Sequence, residues 1–360
     1  MDYASSALGS SANPGAIHEL GTQEKRKLEA ARASTAEVLA AHPDEIIFTS
    51  GATESNNIAI LGVAPGHIVT TNIEHASVLE TAKHRSNVTF VAVEPNGIVD
   101  PRKIKKALKS STILVSVMYA NNEIGTVQPI REIAKEIRHY NKINNKKIIL
   151  HTDATQAINY LPIQVPQLGV DLMSFNAAKI YGPKGVGALY VRRGTPVHKI
   201  MFGGGQEHGL RPGTENVAGV EALALALEVT EKVKQKENKR LAQLQNYFLK
   251  KIKEKLPARV TINGDIKNRL PNNINITVPN IPSDLLVIEL SARGIMASAK
   301  SACKAGDGKA SYVIAAIHPK SKDTDGSLRF SLGRETSKKD IDNTVKALND
   351  ILKKLEKWYN

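Results

Sequence analysis

Two residues between His151 and Arg193 have the types and the spacing to act on one reactive group. Asp153 follows the apolar run KKIIL and Lys179 follows the run VDLMSF, so both are expected at the ends of neighbouring strands. In an open α/β sheet the ligand crevice lies outside the carboxyl ends of the strands. An acid and a lysine there are the pair that pyridoxal phosphate chemistry needs, the lysine forming the Schiff base and the acid holding the ring nitrogen protonated. The same residues also read as a solvated lysine and a helix-capping aspartate, the ordinary fate of such side chains. The other strand ends must discriminate.

SGATESNN (50–57) stands where a strand meets a helix. Gly51 permits a tight turn, the amides of Ala52 and Thr53 can face an anion, and the helix N-terminus adds positive potential. The alternative is an ordinary connection capped by Thr53. His75 in NIEHAS follows the second strand, where an imidazole can stack on a flat ring, move a proton, or merely neighbour a helix cap. In YANNEIG (119–125), after the fourth strand, Asn122 or Asn121 can bond a polar ring substituent or simply make a turn. Gln156 lies one helical turn beyond Asp153 and faces the same way. The glycine-rich FGGGQEHGLRPGTEN (202–216) offers Arg211 and Thr214 as anion donors. It does not match a dinucleotide glycine motif, because no strand with an acid at the required distance accompanies it. Cys303, the single cysteine, sits in SAKSACKAGDGKAS. Small residues with Lys300 and Lys304 make a poor core and favour a reactive thiolate. In LRFSLGRET, either Arg329 or Arg334 can clamp a carboxylate or form a surface ion pair.

Positioning these groups requires a sheet. β-rich runs occur at EIIFTS, HIVTT, VTFVAV, TILVSV, KKIILH, VDLMSF and VGALYV, most of them separated by helical patterns such as ESNNIAILGV, ASVLETAKH and IREIAKEIRHYN. This alternation predicts an α/β fold: a mostly parallel sheet of about seven strands with helices on both faces. After Thr214 the strand rhythm stops, and ENVAGVEALALALEVTEKVKQKENKRLAQLQNYFLKKIKEK reads as one long helix or two in succession. Beyond it RVTIN, NNINITV, LLVIELSARG and LRFSLG, with a closing helical pattern, predict a smaller α+β unit of about four strands. The expected division is residues 14–234 as the large domain, and residues 1–13 with 235–360 as a small domain carrying the cysteine loop.

The 360 residues are 41% hydrophobic, enough to bury a sizeable core, and carry a formal charge of +14. The lysines are spread along the chain and cluster most in the long helical segment, with no nucleic-acid module beside them, so an anionic cofactor or an acidic protein partner is favoured over nucleic acid. One cysteine excludes an internal disulfide and a cysteine-rich metal site; no metal is expected. No run of membrane-spanning length and no signal peptide is apparent, so a soluble cytoplasmic protein is expected.

Taken in order, SGATESNN, NNEIG, DATQ, KIYGPKGVGALYVRR, the RPGT loop, SAC and LRFSLGR resemble the cysteine desulfurases, pyridoxal phosphate enzymes of the fold-type-I, class-V aminotransferase group. The resemblance covers nearly the whole chain. It implies that Lys179 is the Schiff-base lysine, Asp153 the pyridinium partner and Gln156 the contact to the ring hydroxyl. His75 would stack over the ring and serve protonation steps, with Asn122 beside it. Ala52, Thr53 and Asn176 would stand near the phosphate, and Thr214 would reach it from the second protomer of a homodimer. Asn13 and Arg329 match positions that grip the substrate carboxylate. Cys303 matches the nucleophile that takes sulfur from L-cysteine as a persulfide, leaving alanine, for a sulfur-acceptor protein of iron-sulfur assembly or tRNA thiolation. Two departures stand out. Asn176 and Ala178 occupy positions where the family usually has serine and histidine, and the opening DYASSALGSSANP lacks a helical segment. Alternatives are a selenocysteine lyase or cysteine sulfinate desulfinase, a cofactor-binding sulfur-relay scaffold with decayed activity, and an aminotransferase.

Overall fold

The computed structural model describes residues 12–256, 259–299, 311–320 and 325–359. By internal contacts the chain divides into two units, the first comprising residues up to Val91 with Pro101–Tyr119 and Pro129–Val233, the second Ala92–Asp100, Ala120–Gln128 and the residues from Lys234 onward.

In the first unit, α1 (Glu19–Leu39) leads to β1 (Ile46–Thr49), α2 (Ala52–Leu61), β2 (His67–Thr71), α3 (Ala76–His84) and β3 (Val88–Val91). α4 (Pro101–Ala107), β4 (Thr112–Ser116), α5 (Ile130–Asn144), β5 (Ile149–Asp153), α6 (Val165–Leu168), β6 (Leu172–Asn176) and β7 (Gly187–Val191) follow. The seven strands form one sheet in the order β1-β7-β6-β5-β4-β2-β3. Five strands from β3 to β6 are mutually parallel, and β7 runs against both β6 and β1. β6 and β7 therefore make a hairpin, and its connection lies on the edge where the parallel strands end. The expected strand set is present, with β5 continuing through Asp153.

Periodicity explains the helices. α5 buries Ile130, Ile133, Ala134 and Ile137, one stripe at helical spacing, and α1 buries Leu28, Ala31, Ala36 and Leu39. Leu20, at the start of α1, is 55% exposed and falls outside that stripe. β4, β5 and β6 carry apolar residues on consecutive positions because both faces are covered. Ile47, Ile58, Ile60, Ile68, Leu114, Ile149, Leu172 and Leu189 share one core cluster, each such side chain contributing roughly 1.5–3 kcal/mol by leaving water.

α7 (Val217–Lys255) is one continuous helix of 39 residues. The second unit holds an antiparallel sheet in the order β10-β9-β8, formed by β8 (Thr261–Ile262), β9 (Asn273–Val278) and β10 (Gly326–Ser331). Its helices are α8 (Ser283–Ser291), α9 (Tyr312–Ile317) and α10 (Lys338–Tyr359). Two expectations change. LLVIELSARG is not a strand: α8 starts at the Pro282 cap and buries Leu286 and Leu290, four residues apart, while Ile288 is 65% exposed. Nor is residues 14–234 one unbroken unit, because Ala92–Asp100 and Ala120–Gln128 group with the C-terminal unit. Thr126 bridges Arg269, Val127 N–H donates to Asn268 O, and Leu270 N–H donates to Gly125 O. Among the described residues no helix is long and apolar enough to cross a membrane.

Candidate active site

The carboxyl edge of the large sheet collects most of the expected groups. Asp153 is the last residue of β5 and pairs in register with Ser174 of β6, so Asn176 and then Lys179 follow on the adjacent strand. Asp153 is 6% exposed. Its Oδ1 accepts from Thr155 N–H at 2.9 Å and its Oδ2 from Asn56 Nδ2 at 2.8 Å. Lys179 ends a short 3₁₀ turn, Ala177–Lys179, and is exposed; among the described residues its ammonium has no hydrogen-bond or ion-pair partner. Gln156 is half-buried in the turn after β5.

Thr49 of β1, Gly187 of β7 and Asn176 of β6 stand side by side in register. A Cβ on Gly187 would lie 2.7 Å from both Gly51 Cα and Phe175 O, so this glycine lets the start of α2 approach the sheet edge. Gly51 caps α2 with φ 154° and ψ 175°, a region open essentially to glycine alone, and no side chain caps the helix. Thr53 is thus not the cap. The first-turn amides of α2, including those of buried Ala52 and exposed Thr53, point the positive helix end at this edge. Asn176 Oδ1 is buried without a hydrogen-bond partner among the described residues. Glu54 accepts from Ser50 and from Arg211 Nε at 3.0 Å. Burial alone would raise the Glu54 carboxyl, but those donors hold it below its ordinary value. Arg211 is thereby engaged with Glu54, and Thr214 in the same loop is exposed.

His75 is the N-cap of α3, and its Nδ1 accepts from Ser77 N–H at 3.2 Å. Below this edge lie two buried titratable groups that the sequence did not single out. Glu74 accepts from Thr71 Oγ1 at 2.6 Å and from Met118 N–H at 2.9 and 3.0 Å, and burial, reinforced by the Asp153 charge, raises its carboxyl to about 8. His151 spans Ser116 Oγ and Ser174 Oγ at 2.8 and 3.0 Å; burial lowers it to about 4, opposed by Asp153. Asn56 and Ser77 were also missed. Their only sequence signal is a polar residue on the buried side of a helix that begins at a strand end.

Asn13 forms a local turn in which Oδ1 accepts from Gly15 N–H at 2.9 Å. In the second unit Arg329 on β10 donates from Nη1 to Asn122 O at 3.0 Å, while its Nε and Asn122 Oδ1 are buried without partners among the described residues. Burial pushes the Arg329 guanidinium below its ordinary value, partly offset by the Glu123 charge. Glu123 accepts from Ser311 Oγ at 2.5 Å at the start of α9. Cys303, Lys300 and Lys304 lie outside the described residues.

Over residues 2–344 the chain matches the family model for class-V aminotransferases. The chain belongs to that family. It is 42% identical over 353 residues to a protein named cysteine desulfurase IscS from Dictyoglomus turgidum, covering 95% of this chain and 88% of the relative. It is 40% identical to the cysteine desulfurase IscS of Methanosarcina thermophila, covering 95% and 85%. A solved NifS-like protein superposes with a TM-score of 0.86 at 34% identity, covering 96% of this chain and 92% of the other. Class-V aminotransferases and cysteine desulfurases depend on pyridoxal phosphate. The site fits that group: a nearly buried carboxylate lies near a helix N-terminus that no side chain caps and that Gly187 brings close, and among the described residues the Lys179 ammonium has no hydrogen-bond or ion-pair partner.

Proposed function

We propose that this chain is a pyridoxal phosphate-dependent cysteine desulfurase that converts L-cysteine to L-alanine and carries the sulfur away as a persulfide on Cys303. The observation that carries the reading is the pairing of β5 with β6, which puts Asp153 at one strand end and Lys179 just beyond the adjacent one, next to the uncapped start of α2. The bound cofactor supplies an electron sink that makes the substrate Cα proton labile. Ala52, Thr53 and Asn176 would hold its phosphate, Asp153 its ring nitrogen, Gln156 and Asn122 its ring substituents, and His75 its face. Lys179 anchors it and, once freed by substrate, its amine takes and returns the Cα proton. Arg329, with Nε and Nη2 still available beside its bond to Asn122, and Asn13 would grip the substrate carboxylate. The Cys303 thiolate attacks the substrate sulfur; the carbon–sulfur bond breaks with its electron pair left on carbon, which gains a proton and becomes the methyl group of alanine. Lys300 and Lys304 favour that thiolate.

The large unit is assigned the cofactor, and the C-terminal unit the cysteine-bearing segment. A homodimer completes this reading. Leu225, Val229 and Val233 recur along one face of α7 at 61%, 38% and 38% exposure, the kind of apolar stripe that a second copy covers, and exposed Thr214 is then free to serve the partner. The persulfide passes to a cytoplasmic sulfur-acceptor protein of iron-sulfur cluster assembly or tRNA thiolation.

The test is direct. Purified protein with pyridoxal phosphate is expected to be yellow and to convert L-cysteine to alanine plus sulfide under reductant. Cys303→Ala is expected to lose sulfide release, and Lys179→Ala the bound colour. Bound cofactor without alanine formation overturns the activity in favour of a scaffold. Preference for selenocysteine or cysteine sulfinate moves the substrate, and an active Cys303→Ala variant making other amino-acid products identifies an aminotransferase.

A further inference from the structure

Asp153 and His75 are joined by a buried relay. Asn56 Nδ2 donates to Asp153 Oδ2 at 2.8 Å and also to Ser77 Oγ at 2.8 Å; Ser77 Oγ is 2.8 Å from His75 Nδ1. Asn56 is 0% exposed and Ser77 is 8% exposed. The direction of each bond follows from the one before it. A carboxylate can only accept, so the Asn56 amide must turn its nitrogen toward Asp153. That nitrogen's second hydrogen points to Ser77 Oγ. The Ser77 hydroxyl, accepting there, has its own hydrogen to give to His75 Nδ1. Ser77 N–H donates to the same ring nitrogen at 3.2 Å. Nδ1 therefore accepts twice, and the ring hydrogen belongs on Nε2.

One further observation shows that this orientation serves the neighbours of Asn56. Asn56 Oδ1 is buried with no hydrogen-bond partner among the described residues. An amide free to choose would not strand its oxygen, since an unsatisfied buried acceptor is costly. The Asp153 carboxylate imposes the choice.

We infer that Asn56 and Ser77 are positioning residues that read the orientation of Asp153 and fix His75 as the neutral Nε2–H tautomer, so that His75 enters the reaction as a hydrogen-bond donor through Nε2. This rests on the proposed roles of Asp153 and His75. The relay itself is a property of the folded chain, and tautomer and activity are separate readouts.

The experiment is nitrogen NMR of full-length, cofactor-loaded protein labelled with ¹⁵N-histidine, the His75 signals being identified by their loss in His75→Gln. The native protein is expected to show hydrogen on Nε2 and a bare Nδ1. Ser77→Ala is expected to erode that preference by about five- to tenfold, the worth of one neutral hydrogen bond, and to reveal the Nδ1–H form. Ser77→Thr, which keeps the hydroxyl, is expected to restore the native tautomer. Asn56→Ala is expected to shift the balance in the same direction with both bonds of Ser77 to His75 left in place; if it does not fold, the two Ser77 variants decide. Hydrogen on Nδ1 in the native protein, or an unchanged tautomer in Ser77→Ala, overturns the inference. A native Nε2–H tautomer in protein that makes no alanine from L-cysteine instead overturns the functional reading and leaves the relay standing.

Discussion

Replacing Glu207 by alanine removes an acceptor that three N–H groups share. Glu207 takes Arg32 Nη1 at 2.8 Å, Arg32 Nη2 at 2.7 Å and Phe48 N–H at 2.7 Å. Arg32 and Glu207 are each 5% exposed. In Glu207→Ala the guanidinium stays buried, with Nη1 still on Ile46 O at 2.7 Å and Glu29 as the remaining ion-pair partner, at 3.3 Å. Removing one partner of a buried pair costs about 3–5 kcal/mol, and the orphaned Phe48 amide adds about 1–3 kcal/mol, so the total is on the order of 4–8 kcal/mol. Arg32→Met combined with Glu207→Leu removes the stranded charge, leaving the Phe48 amide without its acceptor and Ile46 O without the Arg32 donor. The double variant is therefore expected to be more stable than Glu207→Ala. The assay is urea unfolding of the full chain with pyridoxal phosphate absent, reading the first transition. A loss below about 1 kcal/mol in Glu207→Ala, or a double variant less stable than the single, refutes the reasoning, because either result means that the buried charge was not stranded.

Two further outcomes are expected. Glu74 keeps its proton up to about pH 8 when folded but loses it near 4.5 when unfolded, so its contribution is fully present below 4.5 and declines as pH rises to about 8. His151 acts oppositely, its contribution being present above 6.5 and lost as pH falls toward 4; stability against pH, measured by thermal melting, should lose its alkaline decline in Glu74→Gln and its acid decline in His151→Asn. Gly187→Ala places a Cβ 2.7 Å from backbone at Gly51 and Phe175 and is expected to weaken pyridoxal phosphate binding at least tenfold in a titration, whereas Gly194→Ala, which strains a left-handed backbone (φ 76°) but has no neighbour within 4 Å, leaves it near the native value.

Local signals carried the large sheet. Apolar runs such as HIVTT and TILVSV are buried along nearly their whole length, and such runs alternating with amphipathic stripes leave few topologies open. The places of Asp153, His75 and Lys179 at the sheet edge were legible because each ends or follows a strand, and strand ends gather in this fold. LLVIELSARG misled because a short, almost fully apolar run has no decisive period; Pro282 and the Leu286–Leu290 spacing were the better guide. The grouping of Ala120–Gln128 with the C-terminal unit depends on pairing with residues near 269, which no local pattern announces. Asn56 and Ser77 look like ordinary polar helix residues until their burial is known.

The β6–β7 hairpin bears on how the lysine is kept ready. A crossover connection would let the residues after β6 wander toward a helix on the sheet's face. Here Asn176 pairs with Gly187, Ala177 N–H donates to Val186 O, and Gly182 N–H returns to Ala177 O, so the segment is clasped at its base on both sides. These bonds leave the backbone of the connection little freedom to lose later. The main chain of Lys179 is ordered when the protein folds, and only the side chain has torsions to surrender on joining a ligand. Preorganisation of this kind favours rapid capture of the cofactor by a finished protein over templating of the fold by the cofactor.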